Sequence, residues 1–372
     1  MTPERIEGPH LETLGTLLRD RGYATVLLFS DHGVKAAGHV RSAMAALQAA
    51  EIGVTTWLGV QPEPTAGQVE RAASALAGVE VDAYVALGGG SVIDFAKAVN
   101  FLVIHGGVMA DFKGHDQATR PMRPLIAIPT TAGTGSEMQS FALISDEVTH
   151  RKMACGDPSA RPVLSILDPR LTLTLPEHIT LLSALDAMVH TLETAVTTRR
   201  TPASLALSAT AFSHLHEGLP RVLRNPDDLG ARTLVMRGAS MAGEAIEMSM
   251  LGAAHATGNA LSSVFGTAHG AAVGHMAPAV MALNSSSESA REGYATLCSA
   301  AGLPTEGAAE QLCGVIRPLL GHPALPACPD LTTRLPELIE DAQSQWTGTF
   351  NPVPLTPNIL RDLFLDTARR IP

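Results

Sequence analysis

The first half of the chain alternates two patterns of hydrophobic positions. Short apolar runs that end at turn residues predict five strands, over residues 25–30, 54–58, 82–87, 125–128 and 163–167. Apolar positions at helical spacing predict three helices between them, over residues 39–50, 67–76 and 92–100. Strands that alternate with helices in this way form βαβ units around a parallel sheet. We therefore predict an α/β domain over residues 1–170.

In the second half of the chain, the spacing of apolar positions predicts helices. Strand patterns largely stop after the run at 163–167, and apolar spacing predicts helices over residues 176–197, 202–215, 231–245, 252–264 and 270–283. An all-α domain over residues 171–372 follows from this pattern. Ligand sites occur preferentially at domain interfaces, so a cleft between the two predicted domains is where we expect the site.

The composition of the chain excludes some classes of protein and some classes of partner. The 372 residues include 36 acidic and 26 basic side chains, for a formal net charge of −10, and 45% are hydrophobic. This apolar fraction suffices to bury a core, which excludes a disordered chain. An acidic chain repels phosphates, which argues against nucleic acid as a partner. The N-terminal residues do not resemble a signal peptide, and the four cysteines form no C-x-x-C pair, so we expect a cytoplasmic protein.

Residues 248–287 form a stretch of 40 residues without Asp, Glu, Lys or Arg. Histidines, asparagines and glycines interrupt every window of about 20 residues in it, which a membrane-spanning helix would not tolerate. We therefore predict a buried helical region and no contact with a membrane. Three histidines in this charge-free region, His255, His269 and His275, then require an explanation.

Two loops of small polar residues follow two predicted strands. In Gly88-Gly-Gly-Ser91, glycines would let backbone N–H groups approach a phosphate at a helix N-terminus. Ser91 is predicted to cap that helix, with Asp94 completing a capping box. The second loop, residues 129–137, carries three threonines and two glycines. Each loop alone is also explained as an ordinary connection, but open α/β sheets bind ligands where such loops end neighbouring strands.

Asp31 ends the first predicted strand. A carboxylate in that place can accept hydrogen bonds from an adenosine ribose and would repel a 2′-phosphate, which favours NAD over NADP. Taken alone, the residue is better explained as a solvated turn aspartate.

Asp186 and His190 are spaced i, i+4 on one predicted helix, so they share a face. With His255 and His269 they would give one carboxylate and three imidazoles, a set suited to Fe²⁺ or Zn²⁺. Taken alone, each histidine is better explained as a buried structural residue, and the Asp–His pair as a surface ion pair. Three further histidines compete for the same role: His214, His216 and His275.

Four segments together resemble the iron-containing (group III) alcohol dehydrogenases, in the superfamily that includes glycerol dehydrogenase and dehydroquinate synthase. The resemblance extends from about Ile6 to Asn284 and rests on the order and spacing of the segments. These are Gly88 to Lys97; Pro129 to Glu137; Asp168-Pro169 with Leu175-Pro176 and Asp186-Ala-Met-Val-His190; and His255 with Ala268-His-Gly270.

This resemblance implies a Rossmann-like N-terminal domain that binds NAD(H), a helical C-terminal domain that binds a divalent metal, and a homodimer. The metal would be Fe²⁺, with Zn²⁺ as the alternative. The implied metal ligands are Asp186, His190, His255 and His269. The implied cofactor residues are Gly89, Gly90 and Ser91 at the pyrophosphate; Asp94, Lys97, Thr130, Thr131 and Thr134 nearby; and Asp31, which discriminates against NADP.

One position departs from the family pattern. Many members carry a histidine four residues after the third metal ligand and use it as a proton relay, whereas this chain has Asn259 there. Asparagine can hydrogen-bond substrate or cofactor, but it cannot carry a proton near neutral pH. Asn259 and His255 are the candidate catalytic residues, and Asn259 marks a substrate subgroup.

The expected function is a metal- and NAD(H)-dependent alcohol dehydrogenase or aldehyde reductase that acts on a small alcohol. A keto-acid reductase of the maleylacetate type, or another enzyme similar to dehydroquinate synthase, is one alternative, although residues 248–287 offer no lysine or arginine to a multiply anionic substrate. A non-enzymatic role on the same scaffold is another, and the intact set of four metal-ligand residues argues against it.

Overall fold

The computed structural model describes residues 2–148 and 151–370. Its contacts divide the chain into two compact units. Unit 1 runs to Thr131 and continues from Ser136 to Thr174, and unit 2 comprises Ala132–Gly135 and the chain from Leu175 onward. The predicted fold class is confirmed, since unit 1 is an α/β structure around a parallel sheet and unit 2 is helical.

Unit 1 is built on a six-stranded sheet with the strand order β1-β9-β6-β4-β2-β3, in which neighbouring strands pair in parallel. The inner strands are apolar and buried on both faces, as parallel strands covered by helices require. The strands are β1 Glu4–Glu7, β2 Thr25–Asp31, β3 Gly53–Val60, β4 Ala83–Gly88, β6 Leu125–Pro129 and β9 Leu164–Leu167.

Helices cover both faces of this sheet. Apolar side chains of α1 and α3 form a core with one face, and those of α4 and α5 form a core with the other. The helices of unit 1 are α1 Leu14–Arg19, α2 His32–Ala36, α3 His39–Ala49, α4 Ala66–Ala75 and α5 Gly90–His105.

Four strands escaped prediction because they lack a clear apolar pattern. The edge strand β1 has the sequence Glu-Arg-Ile-Glu and is mostly exposed. A second, three-stranded sheet in the order β5-β8-β7 contains the other three, and each has at most five residues. They are β5 Gly114–His115, β7 Phe141–Ser145 and β8 Lys152–Gly156.

Unit 2 consists of helices α6 to α14. The charge-free stretch forms α9 and α10, in which most side chains are buried. No helix within the described ranges combines the length and hydropathy that a membrane crossing needs. The helices are α6 Glu177–Thr194, α7 Pro202–Arg224, α8 Leu229–Ser249, α9 Ala253–Phe265, α10 His269–Asn284, α11 Glu288–Ala300, α12 Ala308–Leu320, α13 Leu335–Ser344 and α14 Pro357–Arg370.

Candidate functional site

Four side chains from three helices of unit 2 meet around one carboxylate oxygen. Oδ1 of Asp186 lies 3.3 Å from Nε2 of His190, 3.4 Å from Nε2 of His255 and 3.6 Å from Nε2 of His269. Asp186, His255 and His269 each place a donor atom within 4.8 Å of the other two. The ring of His190 stacks on that of His255, with centroids 4.8 Å apart. We call these four residues the donor set.

The spacing within the donor set suits a shared ion better than hydrogen bonds. An N–H···O bond is usually about 2.9 Å long, whereas ligand atoms about 2.1 Å from a tetrahedral ion are about 3.4 Å apart. Oδ1 of Asp186 and Nε2 of His255 are buried and have no hydrogen-bond partner of ordinary length among the described residues. Since buried polar atoms are rarely left unsatisfied, the donor set fits a divalent cation.

Local sequence explains how the donor set assembles. Asp186 and His190 lie one turn apart on α6, and His269 is the first residue of α10. Gly270 lets that first turn approach α6, because a Cβ at this position would lie 2.1 Å from the carbonyl oxygen of Leu182. Any larger residue at 270 would therefore push His269 away from Asp186.

The electrostatics of the site favour a charged carboxylate. Burial alone would raise the pKa of Asp186, but the neighbouring His190 and His269 outweigh it and hold that pKa below its usual value. Burial lowers the pKa of His190 to about 4. For His255, burial again opposes the charge, but Glu193 and Asp186 outweigh it and raise the pKa to about 9. A metal bound here would have to displace the proton that His255 otherwise retains.

Glu193 contacts the donor set directly, and sequence reasoning missed it. Its Oε2 lies 2.5 Å from Nδ1 of His255, and its Oε1 accepts the N–H of Ala254 at 2.6 Å. A proton held on Nδ1 by this carboxylate leaves Nε2 free to bind a metal. The signal was present in the sequence, because Glu193 follows Asp186 by seven residues and His190 by three on the same helix face.

We expect Glu193→Gln to weaken metal binding about tenfold to 100-fold. Glutamine has one acceptor oxygen, so it cannot accept from both His255 and the backbone of Ala254. Metal affinity measured by competition with a chelator would show the effect. Glu177→Gln is the matched control, since Glu177 is exposed in the first turn of the same helix. Equal affinity in both variants would contradict the role given to Glu193.

The predicted cofactor loops lie side by side at the carboxyl ends of neighbouring strands in unit 1. Gly88 pairs with Pro129 across β4 and β6, and the N–H of Thr130 donates to the carbonyl of Gly88 at 3.0 Å. A Cβ on Gly89 would lie 3.2 Å from the side chain of Thr131. Asp31 ends β2, the next strand of the sheet. This edge is where open α/β sheets bind ligands.

The capping role predicted for Ser91 and Asp94 is wrong. Gly89 is the N-cap of α5, and Ser91 already lies inside the first turn, where its hydroxyl accepts the N–H of Glu63 at 3.3 Å. The carboxylate of Asp94 instead accepts the hydroxyl of Ser136 and the N–H of Leu143. A glycine cap leaves the backbone at this turn open to close approach, which suits a phosphate.

Lys97 and Asp94 hold a loop against α5. Lys97 is fully buried, and its ammonium donates to the carbonyl of Ser136 at 2.7 Å, to the hydroxyl of Ser136 at 2.8 Å and to the carbonyl of Phe141 at 2.8 Å. It also lies 3.6 Å from Oδ1 of Asp94. Direct contact of either residue with a cofactor stays a prediction.

The remaining predicted residues have varied surroundings. Asp31 caps α2 by accepting the N–H of Val34 at 2.8 Å. Thr130 is buried and Thr131 is half-buried, whereas Thr134 belongs to unit 2 and is exposed. Asn259, on α9, donates from Nδ2 to Oε1 of Gln345 at 3.2 Å. The competing His275 lies 3.1 Å through Nε2 from the carbonyl oxygen of Pro326, outside the donor set.

Comparisons with known proteins show which family this chain is similar to. Residues 4–169 match the profile described as "Iron-containing alcohol dehydrogenase", and residues 180–319 match that of the "Fe-containing alcohol dehydrogenase family, C-terminal". The chain is 31% identical to alcohol dehydrogenase 4 of Schizosaccharomyces pombe over 346 residues, which cover 92% of this chain and 82% of that protein. It is 31% identical to the NAD-dependent methanol dehydrogenase of Bacillus methanolicus, over 81% of this chain and 80% of that protein. The solved alcohol dehydrogenase from Oenococcus oeni superimposes with a TM-score of 0.92 at 25% identity, over 99% of both chains.

Proposed function

This chain belongs to the iron-containing alcohol dehydrogenase family, and on that premise we propose that it interconverts a small alcohol and its aldehyde at the donor set. The observation that carries the proposal is the convergence of three imidazole nitrogens on Oδ1 of Asp186, at 3.3 to 3.6 Å. When bound, a divalent ion supplies Lewis acidity toward the substrate oxygen, and NAD(H) supplies or accepts the hydride.

The charge of the donor set suits this chemistry. Asp186, His190, His255 and His269 would hold a divalent ion with a single carboxylate charge, which leaves the site with a net charge of about +1. Such a site favours the anionic form of an alcohol oxygen. Fe²⁺ is the ion we propose, on the grounds of family membership, since the ligand set itself accepts Zn²⁺ as well.

Unit 1 offers the features expected of an NAD(H) site. We propose that the backbone of Gly89, Gly90 and Ser91 receives the pyrophosphate at the N-terminus of α5, beside Thr131. Asp31 would accept from the adenosine ribose and disfavour NADP. We also propose a cytoplasmic homodimer on family grounds; the four cysteines are free thiols, as a reducing compartment requires.

The alternative within the superfamily is a reductase or lyase that acts on a multiply anionic acid. The helices that carry His255 and His269 contain no lysine or arginine that could bind such a substrate. A small neutral alcohol or aldehyde therefore suits this site better.

Metal-reconstituted protein is expected to oxidise NADH in the presence of short aldehydes, to lose that activity after chelation and to regain it when Fe²⁺ is restored. The assay follows NADH absorbance across a panel of aldehydes. A complete lack of turnover in metal-loaded protein would contradict the proposal. Product formation without a net change in NADH would instead indicate a reaction similar to that of dehydroquinate synthase.

A further inference from the structure

The first turn of α9 is capped by side chains from elsewhere in the chain. Its N-cap is Gly252, which has no side chain to accept the N–H groups that open the helix. Oε1 of Glu193 accepts the N–H of His255 at 3.3 Å and that of the preceding residue at 2.6 Å. The N–H of Ala253 donates instead to Oδ1 of Asn351 at 3.2 Å. The backbone that carries His255 is therefore held both by α6 and by the segment between α13 and α14.

The amide of Asn351 uses its full hydrogen-bonding capacity. Its Oδ1 accepts from Ala253 and, at 3.0 Å, from Nδ2 of Asn284. Its Nδ2 donates to Oδ1 of Asn284 and to the carbonyl of Val353, both at 2.8 Å. Asn351 and Asn284 are 4% and 0% exposed, so water does not readily compete for these bonds. Since a backbone N–H can only donate and a carbonyl can only accept, the four bonds fix the orientation of the amide, with Oδ1 toward α9.

Gly252 shows how closely these acceptors approach α9. A Cβ at this position would lie 3.0 Å from Oδ1 of Asn351 and 3.2 Å from Oε1 of Glu193. The two oxygens therefore limit how far the first turn can move toward them, and their hydrogen bonds limit how far it can move away. The position of this turn matters because His255 is only three residues from Gly252, and metal–ligand distances vary by only about 0.2 Å.

We propose that Asn351 is a positioning residue of the metal site, which holds the first turn of α9 where Nε2 of His255 can bind the ion. This inference rests on the proposed function to the extent that the donor set binds a divalent ion. The groups around a metal ligand orient it, and their loss weakens metal binding even though they do not contact the metal. The segment between α13 and α14 is then a part of the metal site, although it supplies none of the four residues of the donor set.

The test measures Zn²⁺ affinity and folding stability separately, in full-length protein. Competition with a chelator gives the affinity, and thermal unfolding of the metal-free protein gives the stability. Asn351→Leu is close to the wild type in size but has no polar side-chain atom. It should weaken Zn²⁺ binding about threefold to tenfold, the worth of one net hydrogen bond. Its unfolding midpoint should fall as well, because the groups that lose their partners are buried.

Two further variants separate positioning from stability. Asn351→Asp still accepts the N–H of Ala253, at a helix N-terminus where a carboxylate is favourable, but it cannot donate to Asn284 or Val353. Asn284→Leu leaves Asn351 bound to Ala253 and Val353. Each variant should lower the unfolding midpoint, and neither should weaken Zn²⁺ binding. Asn358→Leu, at an exposed asparagine of α14, is the matched control and should change neither quantity.

Gly252→Ala tests the same role without altering Asn351. Its Cβ would press on the two acceptor oxygens and displace the first turn of α9, so Zn²⁺ binding should weaken. This variant decides the question if Asn351→Leu does not fold, and an unchanged Zn²⁺ affinity in it would then overturn the inference.

The outcomes distinguish the inference from the proposed function. Unchanged Zn²⁺ affinity in folded Asn351→Leu would overturn the inference and leave the proposed function intact. An affinity that falls together with the unfolding midpoint in all three variants of Asn351 and Asn284 would do the same, because it would assign Asn351 to stability alone. Wild-type protein that binds neither Zn²⁺ nor Fe²⁺ would overturn both. Wild-type protein that binds these ions but turns over no aldehyde would contradict the proposed function alone, and the affinities would still decide the role of Asn351.

Discussion

Asp186→Asn is expected to lower kcat/KM about 1000-fold and to deplete the purified protein of metal. Asp186 is the single carboxylate of the donor set, and its Oδ1 lies within 3.6 Å of all three imidazole nitrogens. A neutral amide of the same size cannot balance the charge of a divalent ion, although it preserves the packing of α6. Loss of Lewis-acid stabilisation is worth several kcal/mol, and about 4 kcal/mol corresponds to a factor of about 1000 in rate.

The measurement pairs steady-state kinetics with elemental analysis of the same sample. Asp227→Asn is a suitable control, because Asp227 is an exposed aspartate of the same unit. Wild-type metal content and rate in Asp186→Asn would show that the donor set is not the reaction centre. Full metal content with a lost rate would separate the chemical contribution of the carboxylate from its contribution to binding.

Lys97→Met is expected to destabilise unit 1 by about 3 to 5 kcal/mol, the usual cost of removing one member of a buried charged pair. Methionine can fill the space, but the carbonyls of Ser136 and Phe141 lose their donor, and the buried carboxylate of Asp94 loses the cation 3.6 Å away. A loss of that size lowers the unfolding midpoint by about 10 °C in a unit of this length.

Thermal unfolding in the absence of cofactor tests this directly. Lys113→Met, at an exposed position, should unfold like the wild type. If Lys97 instead served to contact NAD(H), its variant would keep the wild-type midpoint and bind NADH less tightly. That result would refute the structural role and support the prediction from the family resemblance.

Much of the fold follows from hydrophobic pattern, and the exceptions have physical reasons. Strands buried on both faces, such as Ala83–Gly88, are continuous apolar runs. They can be recognised in the sequence without knowing which strands they pair with. The edge strand Glu4–Glu7 is mostly exposed, so its polar residues resemble a loop. Strands β7 and β8 are too short for alternation to stand out, and their pairing depends on residues far apart in the chain.

The site was accessible to sequence reasoning only in part. The family resemblance, and not spacing alone, singled out His255 and His269, because an isolated histidine is usually better explained as a buried structural residue. Glu193 was missed because its partner lies 62 residues away on another helix, although it shares a face with Asp186. The wrong prediction at Ser91 has a different cause. Serine is a favourable N-cap residue, but with three glycines next to it the sequence does not show which of these residues caps the helix.

Because the donor set lies within one unit, metal binding there would affect the amount of folded protein as well as its activity. All four residues of the donor set belong to unit 2, so an ion bound there would stabilise the folded form of that unit and not its unfolded chain. At a free metal concentration 100 times the dissociation constant, this linkage is worth about 2.7 kcal/mol. A change of that size alters how often a chain unfolds and is degraded. Scarcity of the metal that the donor set binds would therefore reduce the number of enzyme molecules in the cell in addition to the fraction that is active.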